Sequence, residues 1–163
     1  MEIPNTYLRV NIAEQRMDWL EADNIVRSYL VSTAKNGPGE IQGSGCTPRG
    51  WLSIRAKIGA GAPLGAVFVG RRWTGEIHDA GLQAQYPERD WILTRILWLD
   101  GLQPGFNRYG TVHTASRYIY IHGSPDAGVS GVPASHGCIR MKSGDVLDLF
   151  DRVKVGMKVL VLA

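Results

Sequence analysis

The alternation of short apolar segments with turn-forming residues is the feature that most constrains the fold of this chain. Residues 7–12 alternate apolar and polar side chains, as half-buried strands do, and residues 16–20 and 25–31 follow with the turn-like residues 21–24 between them. Twenty glycines and eight prolines supply the turns that such a chain needs. The sequence therefore predicts a mainly β fold that begins with a three-stranded meander.

One apolar run is predicted to be a buried central strand. Residues 91–99 are nearly continuously apolar and lie between Asp90 and Asp100, which is typical of a strand covered on both faces. Arg95 is the exception within the run, because a buried cation needs an internal acid or a bound anion. Shorter strands are predicted at residues 51–55, 66–69, 118–121 and 157–162.

Only one helix is predicted, in the C-terminal half of the chain. Ser143 is placed as its N-cap, and Asp145 suits the positive end of the helix dipole. Apolar residues then recur at helical spacing from Val146 to Val153 and form one apolar face, and Gly156 ends the helix.

Two segments are predicted to be irregular. Residues 35–50 are rich in glycine, proline and small polar residues, and residues 71–90 are mostly polar. A loop as long as the second one is often functional, for instance as a cap over an active site. Because no linker or internal repeat divides the chain, we expect a single domain over residues 1–163.

Composition and charge exclude several classes of protein. Hydrophobic residues make up 44% and charged residues 20% of the chain, as in soluble globular domains. The net charge of +3 is scattered, whereas nucleic-acid-binding proteins concentrate basic residues on one face. No apolar run reaches the roughly 20 residues that span a bilayer. We expect a monomer with no cofactor and no nucleic-acid or membrane partner.

The first residues predict a cytoplasmic protein. Residues 1–7 lack the basic and apolar regions of a secretory signal, so the expected compartment is the cytoplasm, or the periplasm if an export signal has been removed. In a reducing cytoplasm Cys46 and Cys138 are not expected to form a disulfide. Neither cysteine belongs to a Cys-x-x-Cys pair, which argues against a zinc finger.

The residues with the clearest chemical potential surround Cys138. A thiol acts as a nucleophile only as the thiolate, which needs a nearby base or a positive field. His136 lies two residues before Cys138, and His122 lies sixteen residues before it. Gly137 permits a tight turn in which the amides of Gly137 and Cys138 point at one oxyanion. Because a paired cysteine and histidine is the signature of an activated thiol, we favour a cysteine-nucleophile enzyme.

Other interpretations of these residues stay open. A single cysteine is usually a small buried hydrophobe, and a single histidine is usually a surface or hydrogen-bonded core residue. His122, His136 and Cys138 would also supply the ligands of a Cys-His-His zinc site. The lack of further ligand spacing in the sequence makes the zinc hypothesis the weaker one.

Short motifs carry a resemblance to a known family. His122-Gly123 is followed, after a spacer, by Ser135-His136-Gly137-Cys138-Ile139-Arg140, and Thr47-Pro48-Arg49-Gly50 has the form Thr-Pro-x-Gly. Together with Asp145 these residues resemble the L,D-transpeptidase catalytic domain family, which is also called YkuD-like. The likeness extends over roughly residues 6–162.

The resemblance implies a β-sandwich or barrel-like catalytic domain with a mobile capping region. It implies that Cys138 is the nucleophile, that His122 takes its proton, and that the carbonyl of Gly123 orients the imidazole. His136 would shape the oxyanion site together with the amides of Gly137 and Cys138.

The substrate that the resemblance implies is a peptidoglycan tetrapeptide or a soluble muropeptide. The thiolate would attack the carbonyl between the third residue, a diamino acid, and the terminal D-alanine, which then leaves a thioester. Arg140 would brace the loop or hold the D-alanine carboxylate, and Arg95 would hold that carboxylate or form an internal ion pair. Ser135 and Tyr120 are the other predicted substrate-binding residues.

Two acceptors can resolve the thioester, and the motif does not choose between them. Water gives a tripeptide, which is L,D-carboxypeptidase activity, whereas the side-chain amine of another stem gives a 3-3 cross-link, which is L,D-transpeptidase activity. The expected cytoplasmic location favours water, because the polymeric wall lies outside the membrane. We therefore expect a carboxypeptidase of muropeptide recycling, with a wall-peptide-binding module without catalysis as the remaining alternative.

Cys46 is predicted to be an incidental thiol. Cys46→Ser should leave the release of D-alanine from tetrapeptide nearly unchanged, because the sulfur of Cys138 does the chemistry. Cys138→Ser should reduce that release to background. A well-folded Cys46→Ser protein without activity would contradict this assignment.

Overall fold

The computed structural model describes residues 2–163, which form a curled β-sheet and two α-helices. Within these residues the strands are β1 Thr6–Asn11, β2 Arg16–Glu21, β3 Asn24–Leu30, β4 Gly50–Ile58, β5 Ala66–Val69, β6 Arg72–Ile77, β7 Ile92–Gly101, β8 Tyr120–Ser124, β9 Ile139–Lys142 and β10 Lys158–Leu162. The helices are α1 Ala80–Gln85 and α2 Ser143–Arg152. The mainly β fold class is confirmed.

Strand β7 is the centre of the sheet. It pairs with β4, β5 and β8 along its length, and Leu93, Ile96, Leu97 and Leu99 are buried. The predicted central strand is therefore confirmed. On the far side of β4 the order continues β10-β1-β2-β3, in which β1, β2 and β3 are the predicted antiparallel meander.

The sheet curls until its two ends meet. Ser32, which follows β3, exchanges two backbone hydrogen bonds of 2.9 Å with Arg140 in β9. Strand β9 pairs in parallel with β8, and β8 pairs with β7, so this bridge joins the meander to the opposite side of the sheet. The resulting half-barrel agrees with the barrel-like fold that the resemblance implies.

Helix α2 packs on the main core with the apolar face that its spacing predicts. Val146, Leu149 and Phe150 are buried in a cluster that includes side chains of β1, β4, β7 and β8. Burial of each large apolar side chain contributes about 1.5–3 kcal/mol. No helix of residues 2–163 is both long and apolar enough to cross a membrane.

The predicted ends of α2 need correction. Lys142 occupies the cap position, and Ser143 is the first helical residue. The hydroxyl of Ser143 accepts a hydrogen bond of 2.8 Å from that of Thr94, which ties the helix to β7. The helix ends at Arg152, with Val153 as its C-cap, before Gly156 is reached.

The prediction that residues 71–90 are irregular is wrong. Strand β6 pairs with β5 as a hairpin, and α1 begins after Asp79, whose side chain accepts a hydrogen bond of 2.7 Å from the Leu82 amide. The sequence pattern hides both elements for a physical reason. Strand β6 is exposed on both faces and therefore shows no alternation, and α1 is too short to show a period and buries none of its residues.

Gly101, at the end of β7, has no room for a side chain. A Cβ there would overlap the carbonyl oxygen of Asn107, whose side-chain amide donates 3.0 Å hydrogen bonds to the carbonyls of Arg49 and Trp51. Gly101→Ala is expected to lower the free energy of unfolding by about 1–3 kcal/mol, the usual effect of overpacking. Urea denaturation measures this loss.

Gly144→Ala is the matched control. Gly144 is exposed in the first turn of α2, and a Cβ there would meet nothing within 4 Å. Its replacement should leave the free energy of unfolding unchanged or raise it by up to about 1 kcal/mol, because alanine favours the helix. Equal stability of the two variants would contradict the packing described for Gly101.

Candidate active site

The parallel pairing of β8 with β9 brings the predicted catalytic residues together. His122 in β8 lies beside Arg140 in β9. Cys138 immediately precedes β9, and the backbone amide of Tyr120, the first residue of β8, donates to its sulfur at 3.3 Å. The register of two strands therefore brings residues that are sixteen positions apart in the sequence to the same part of the sheet.

Cys138 and His122 line the same cavity of about 510 Å³. This volume lies within the range of small-molecule sites. The other polar side chains of its wall come from the tip of the β5–β6 hairpin, the segment before β7, the turn before β8, the loop before β9, and strands β8 and β9. They are Arg71, Asp90, Arg117, Tyr118, Tyr120, Ser135, His136 and Arg140. We call this space the Cys138 cavity.

His122 lies within β8, not at the exit of a strand as predicted, and it is buried. Its Nδ1 is 2.7 Å from the carbonyl oxygen of Gly123. A carbonyl can only accept, so Nδ1 carries the proton and Nε2 keeps its lone pair. Burial lowers the pKa of the imidazole. The ring is therefore neutral and oriented as a proton acceptor, in the arrangement that the resemblance implies for Gly123.

The thiol of Cys138 is also neutral in this structure. Burial raises its pKa to about 12, and the Tyr120 amide and the more distant Arg140 and Arg117 only partly oppose this effect. The sulfur donates to the carbonyl of Tyr118 at 3.4 Å. The thiol must therefore turn from Tyr118 towards His122 before its proton is transferred, as catalytic hydrogen bonds often do only when substrate is bound.

Ser135 holds the turn before Cys138. The hydrogen bonds of this turn bear on the predicted roles of the Ser135 hydroxyl and of the Gly137 amide. The buried hydroxyl of Ser135 accepts from the amide of Gly137 at 3.2 Å and donates to the carbonyl of Cys138. Ser135 therefore organises the turn, and its hydroxyl is not free for substrate. The Gly137 amide is likewise engaged, so the Cys138 amide is left as the oxyanion donor of the predicted pair.

Gly137 is required by the shape of this turn. Its φ of +138° is rarely adopted by residues with a side chain, and a Cβ would press on Ile119 and on the carbonyl of Cys46. The carbonyl of Gly137 accepts a hydrogen bond of 2.9 Å from the buried hydroxyl of Thr47, which also accepts from the Ala34 amide at 2.9 Å. Through Thr47, the Thr-Pro-x-Gly segment thus stabilises the turn that precedes Cys138.

His136 and Arg140 both face the carboxylate of Asp90, at the end of the cap. The imidazole of His136 is 79% exposed, and its Nδ1 is 3.7 Å from Asp90. Arg140 donates to Asp90 at 3.1 Å. His136 therefore lies at the mouth of the cavity and not within an enclosed oxyanion site. The charge of Arg140 already has an acid partner in Asp90, so Arg140 braces the end of the segment 71–90.

Arg95 does not line the Cys138 cavity, so the structure gives no support to its predicted role in substrate binding. It lies in a bulge of β7 where Thr94 has a φ of +74°. Its guanidinium donates to the carbonyls of Ala62 and Thr94 at 2.8 and 2.6 Å and lies 5.3 Å from the ring of Phe150. No carboxylate of residues 2–163 forms an ion pair with it. The two backbone carbonyls and the Phe150 ring therefore take the place of the internal acid or bound anion that was expected.

A second cavity of about 800 Å³ lies on the other side of Arg140, which lines both spaces. Its wall includes α1 residues and the start of α2. Ser124 Oγ and Trp91 Nε1, from two residues that line this second cavity, are buried without a hydrogen-bond partner among the described residues. This second cavity therefore adjoins the Cys138 cavity at Arg140.

Several residues of the Cys138 cavity were not predicted. The sequence gives Arg71 no chemical signal, and Asp90 marks only the boundary of the predicted central strand. Arg117 carries no signal in the sequence, and Tyr118 was expected only as the first residue of a strand, whereas both lie in the turn before β8. No group of three or more His, Cys, Asp or Glu side chains in residues 2–163 is arranged to hold a metal ion, so the zinc hypothesis has no structural support.

The neutral state of the thiol predicts how Cys138 reacts without substrate. Alkylation by iodoacetamide, followed in Cys46→Ser so that one thiol reacts, should be slow at pH 7 and still rising above about pH 9. The reason is that burial raises the pKa of Cys138 to about 12 and only the thiolate reacts. His122→Gln should leave this profile unchanged. A plateau below pH 7 that disappears in His122→Gln would instead reveal a thiolate–imidazolium pair.

Solved structures with a similar fold are L,D-transpeptidases. The enzyme from Xylanimonas cellulosilytica is 19% identical, with a TM-score of 0.55 over 99% of this chain and 62% of that chain. The enzyme from Mycobacterium smegmatis is 18% identical, with a TM-score of 0.57 over 98% and 59%. A cysteine-to-serine mutant of the Enterococcus faecium enzyme is 17% identical, with a TM-score of 0.55 over 98% and 50%. This chain thus spans between half and two thirds of their lengths, and at these identities they share its fold.

The family match covers almost the whole chain. No curated protein matches this chain. The family model of the L,D-transpeptidase catalytic domain, YkuD, matches residues 5–161, a range that contains both the Cys138 cavity and the strands that form it. This chain therefore belongs to the L,D-transpeptidase catalytic domain family.

Proposed function

We propose that this chain cleaves the bond before the terminal D-alanine of peptidoglycan tetrapeptide stems through a thioester on Cys138. The proposal is carried by one observation: Cys138 and His122 line one cavity, and the carbonyl of Gly123 holds the imidazole so that Nε2 is free to accept a proton. Membership of the family supports acyl transfer as the reaction class.

The geometry suggests the order of the proton transfers. As Cys138 Sγ attacks the scissile carbonyl, His122 Nε2 takes the thiol proton, and the Cys138 amide stabilises the negative oxygen. The imidazolium then gives its proton to the nitrogen of D-alanine as the C–N bond breaks. The thioester remains on Cys138, and His122 is again neutral and able to activate an acceptor.

Water is the proposed acceptor, which makes the activity that of an L,D-carboxypeptidase acting on soluble muropeptides in the cytoplasm. Water reaches the thioester without a binding site of its own, whereas an amine must be bound and oriented to compete. Cell fractionation tests the compartment: D-alanine-releasing activity should follow cytoplasmic marker enzymes. Recovery of the activity with periplasmic markers would contradict this part of the proposal.

Cross-linking is the second candidate function, and one observation favours it. The cavity of about 800 Å³ beside Arg140 has room for a second peptide, and Arg140 lines both this cavity and the Cys138 cavity. An acceptor stem held there would place its amine near the thioester. The chain would then be an L,D-transpeptidase that uses the same acyl-enzyme.

Product analysis separates the two functions. Purified protein is incubated with disaccharide-tetrapeptide, and the products are separated and weighed by mass spectrometry. We expect tripeptide and D-alanine, whereas a cross-linked dimer as the main product would establish the second candidate. His122→Gln should lower the rate by about 10²–10⁴-fold, the usual contribution of a general base. His113→Gln, at a histidine that does not line the Cys138 cavity, is the matched control and should keep the full rate.

A further inference from the structure

Arg71 is a cation of the Cys138 cavity that contacts neither a carboxylate nor a backbone carbonyl of the described residues. It lies at the tip of the β5–β6 hairpin, where Gly70 and Arg71 have φ values of +56° and +64°. Its guanidinium donates to the hydroxyl of Tyr120 at 3.0 Å. No carboxylate of the described residues forms an ion pair with it, although the side chain lines the same space as Cys138.

The other two arginines of this cavity are already engaged. Arg140 is paired with Asp90 at 3.1 Å. Arg117 donates to the backbone carbonyls of Gly39 and Cys46 at 3.3 and 2.6 Å, and it therefore holds the loop before β4. Of the three guanidinium groups that line the cavity, that of Arg71 is the one bound neither to a carboxylate nor to a backbone carbonyl.

Aromatic rings hold the guanidinium of Arg71 in place. Its central carbon lies 4.8 Å from the centre of the Trp98 ring and 5.0 Å from that of Tyr118. Contacts with ring faces leave the N–H edges of a guanidinium available for a planar, two-point contact with a carboxylate. The hydroxyl of Tyr120 accepts from Arg71, so its own proton is still available for an anion.

Tyr120 also sets the distance between Arg71 and the nucleophile. Its backbone amide donates to Cys138 Sγ at 3.3 Å, and its hydroxyl contacts Arg71 at 3.0 Å. The sulfur and the guanidinium are therefore linked through one residue, with the backbone amide of Tyr120 at the sulfur and its hydroxyl at the guanidinium. When a scissile carbonyl lies against the sulfur, the C-terminal residue beyond it extends by at most about 3.6 Å. A hydrogen bond adds about 3 Å to this reach.

We infer that Arg71, together with the hydroxyl of Tyr120, binds the C-terminal carboxylate of the departing D-alanine and so determines specificity for free peptide ends. This inference rests on the proposed function. A carboxamide at the same position would lose the charge-assisted contact, so the site would discriminate against stems whose last residue is amidated or extended.

The test compares two ligands in the Cys138→Ser background, which keeps the peptides intact. Isothermal calorimetry measures the binding of a tetrapeptide with a free C-terminal carboxylate and of the same peptide with a D-alanine carboxamide. Arg71→Ala should weaken binding of the acid by about 10- to 100-fold, the range of one charge-assisted pair, and binding of the carboxamide by less than about 2-fold. Arg71→Lys should recover part of the loss.

Arg55→Ala is the matched control. Arg55 lies 4.8 Å from the same Trp98 ring and is also a cation, but it lies 3.9 Å from Asp100 and does not line the Cys138 cavity. Its replacement should leave binding of both peptides within about 2-fold. If Arg71→Ala weakened the acid and the carboxamide equally, or neither, the carboxylate site would be refuted.

Turnover of the wild-type enzyme separates this inference from the proposed function. If wild type released no D-alanine but the Cys138→Ser protein still bound the acid through Arg71, the proposed chemistry would fail and the carboxylate site would stand. If wild type released D-alanine while Arg71→Ala bound the acid normally, only the assignment of Arg71 would fail. If the acid did not bind to the Cys138→Ser protein at all, the carboxylate site would be refuted.

Discussion

The parallel register of β8 against β9 is the interaction on which the rest of the site depends. It places His122 beside Arg140, and it places Cys138, immediately before the start of β9, next to the amide of Tyr120. The bridge between Ser32 and Arg140 and the apolar face of α2 hold these two strands in the curled sheet. A shift of one residue would turn each of these side chains to the opposite face of the sheet.

Burial shifts the pKa values of Cys138 and His122 in opposite directions, and both shifts favour the neutral form of the group. It raises the pKa of the Cys138 thiol and lowers that of the His122 imidazole, so the resting pair is uncharged. At neutral pH the sulfur is therefore in its less reactive thiol form. The cations around the cavity differ in function, because Arg140 and Arg117 support the walls and Arg71 faces the open space.

Predictions from the sequence fail where the local pattern of residues and their tertiary surroundings differ. Strand β6 was missed because both of its faces are exposed, and α1 because six residues are too few to show a period. Arg95 was assigned to substrate since a cation in an apolar run needs a partner, but a bulge at Thr94 brings backbone carbonyls to it. Ser135 was assigned to substrate although its hydroxyl is used within its own turn.

Strand periodicity and short motifs are local properties of a chain, and they suffice to predict the mainly β class, the central strand and the candidate pair of Cys138 and His122. Which side chains share the cavity with that pair follows from the tertiary structure alone. It engages the Gly137 amide within a turn, pairs Arg140 with Asp90, and leaves Arg71 without an acid. The physical reason is that a charge or a hydrogen-bond donor is available to a ligand only when no other part of the fold satisfies it, and such partners come from distant positions in the sequence.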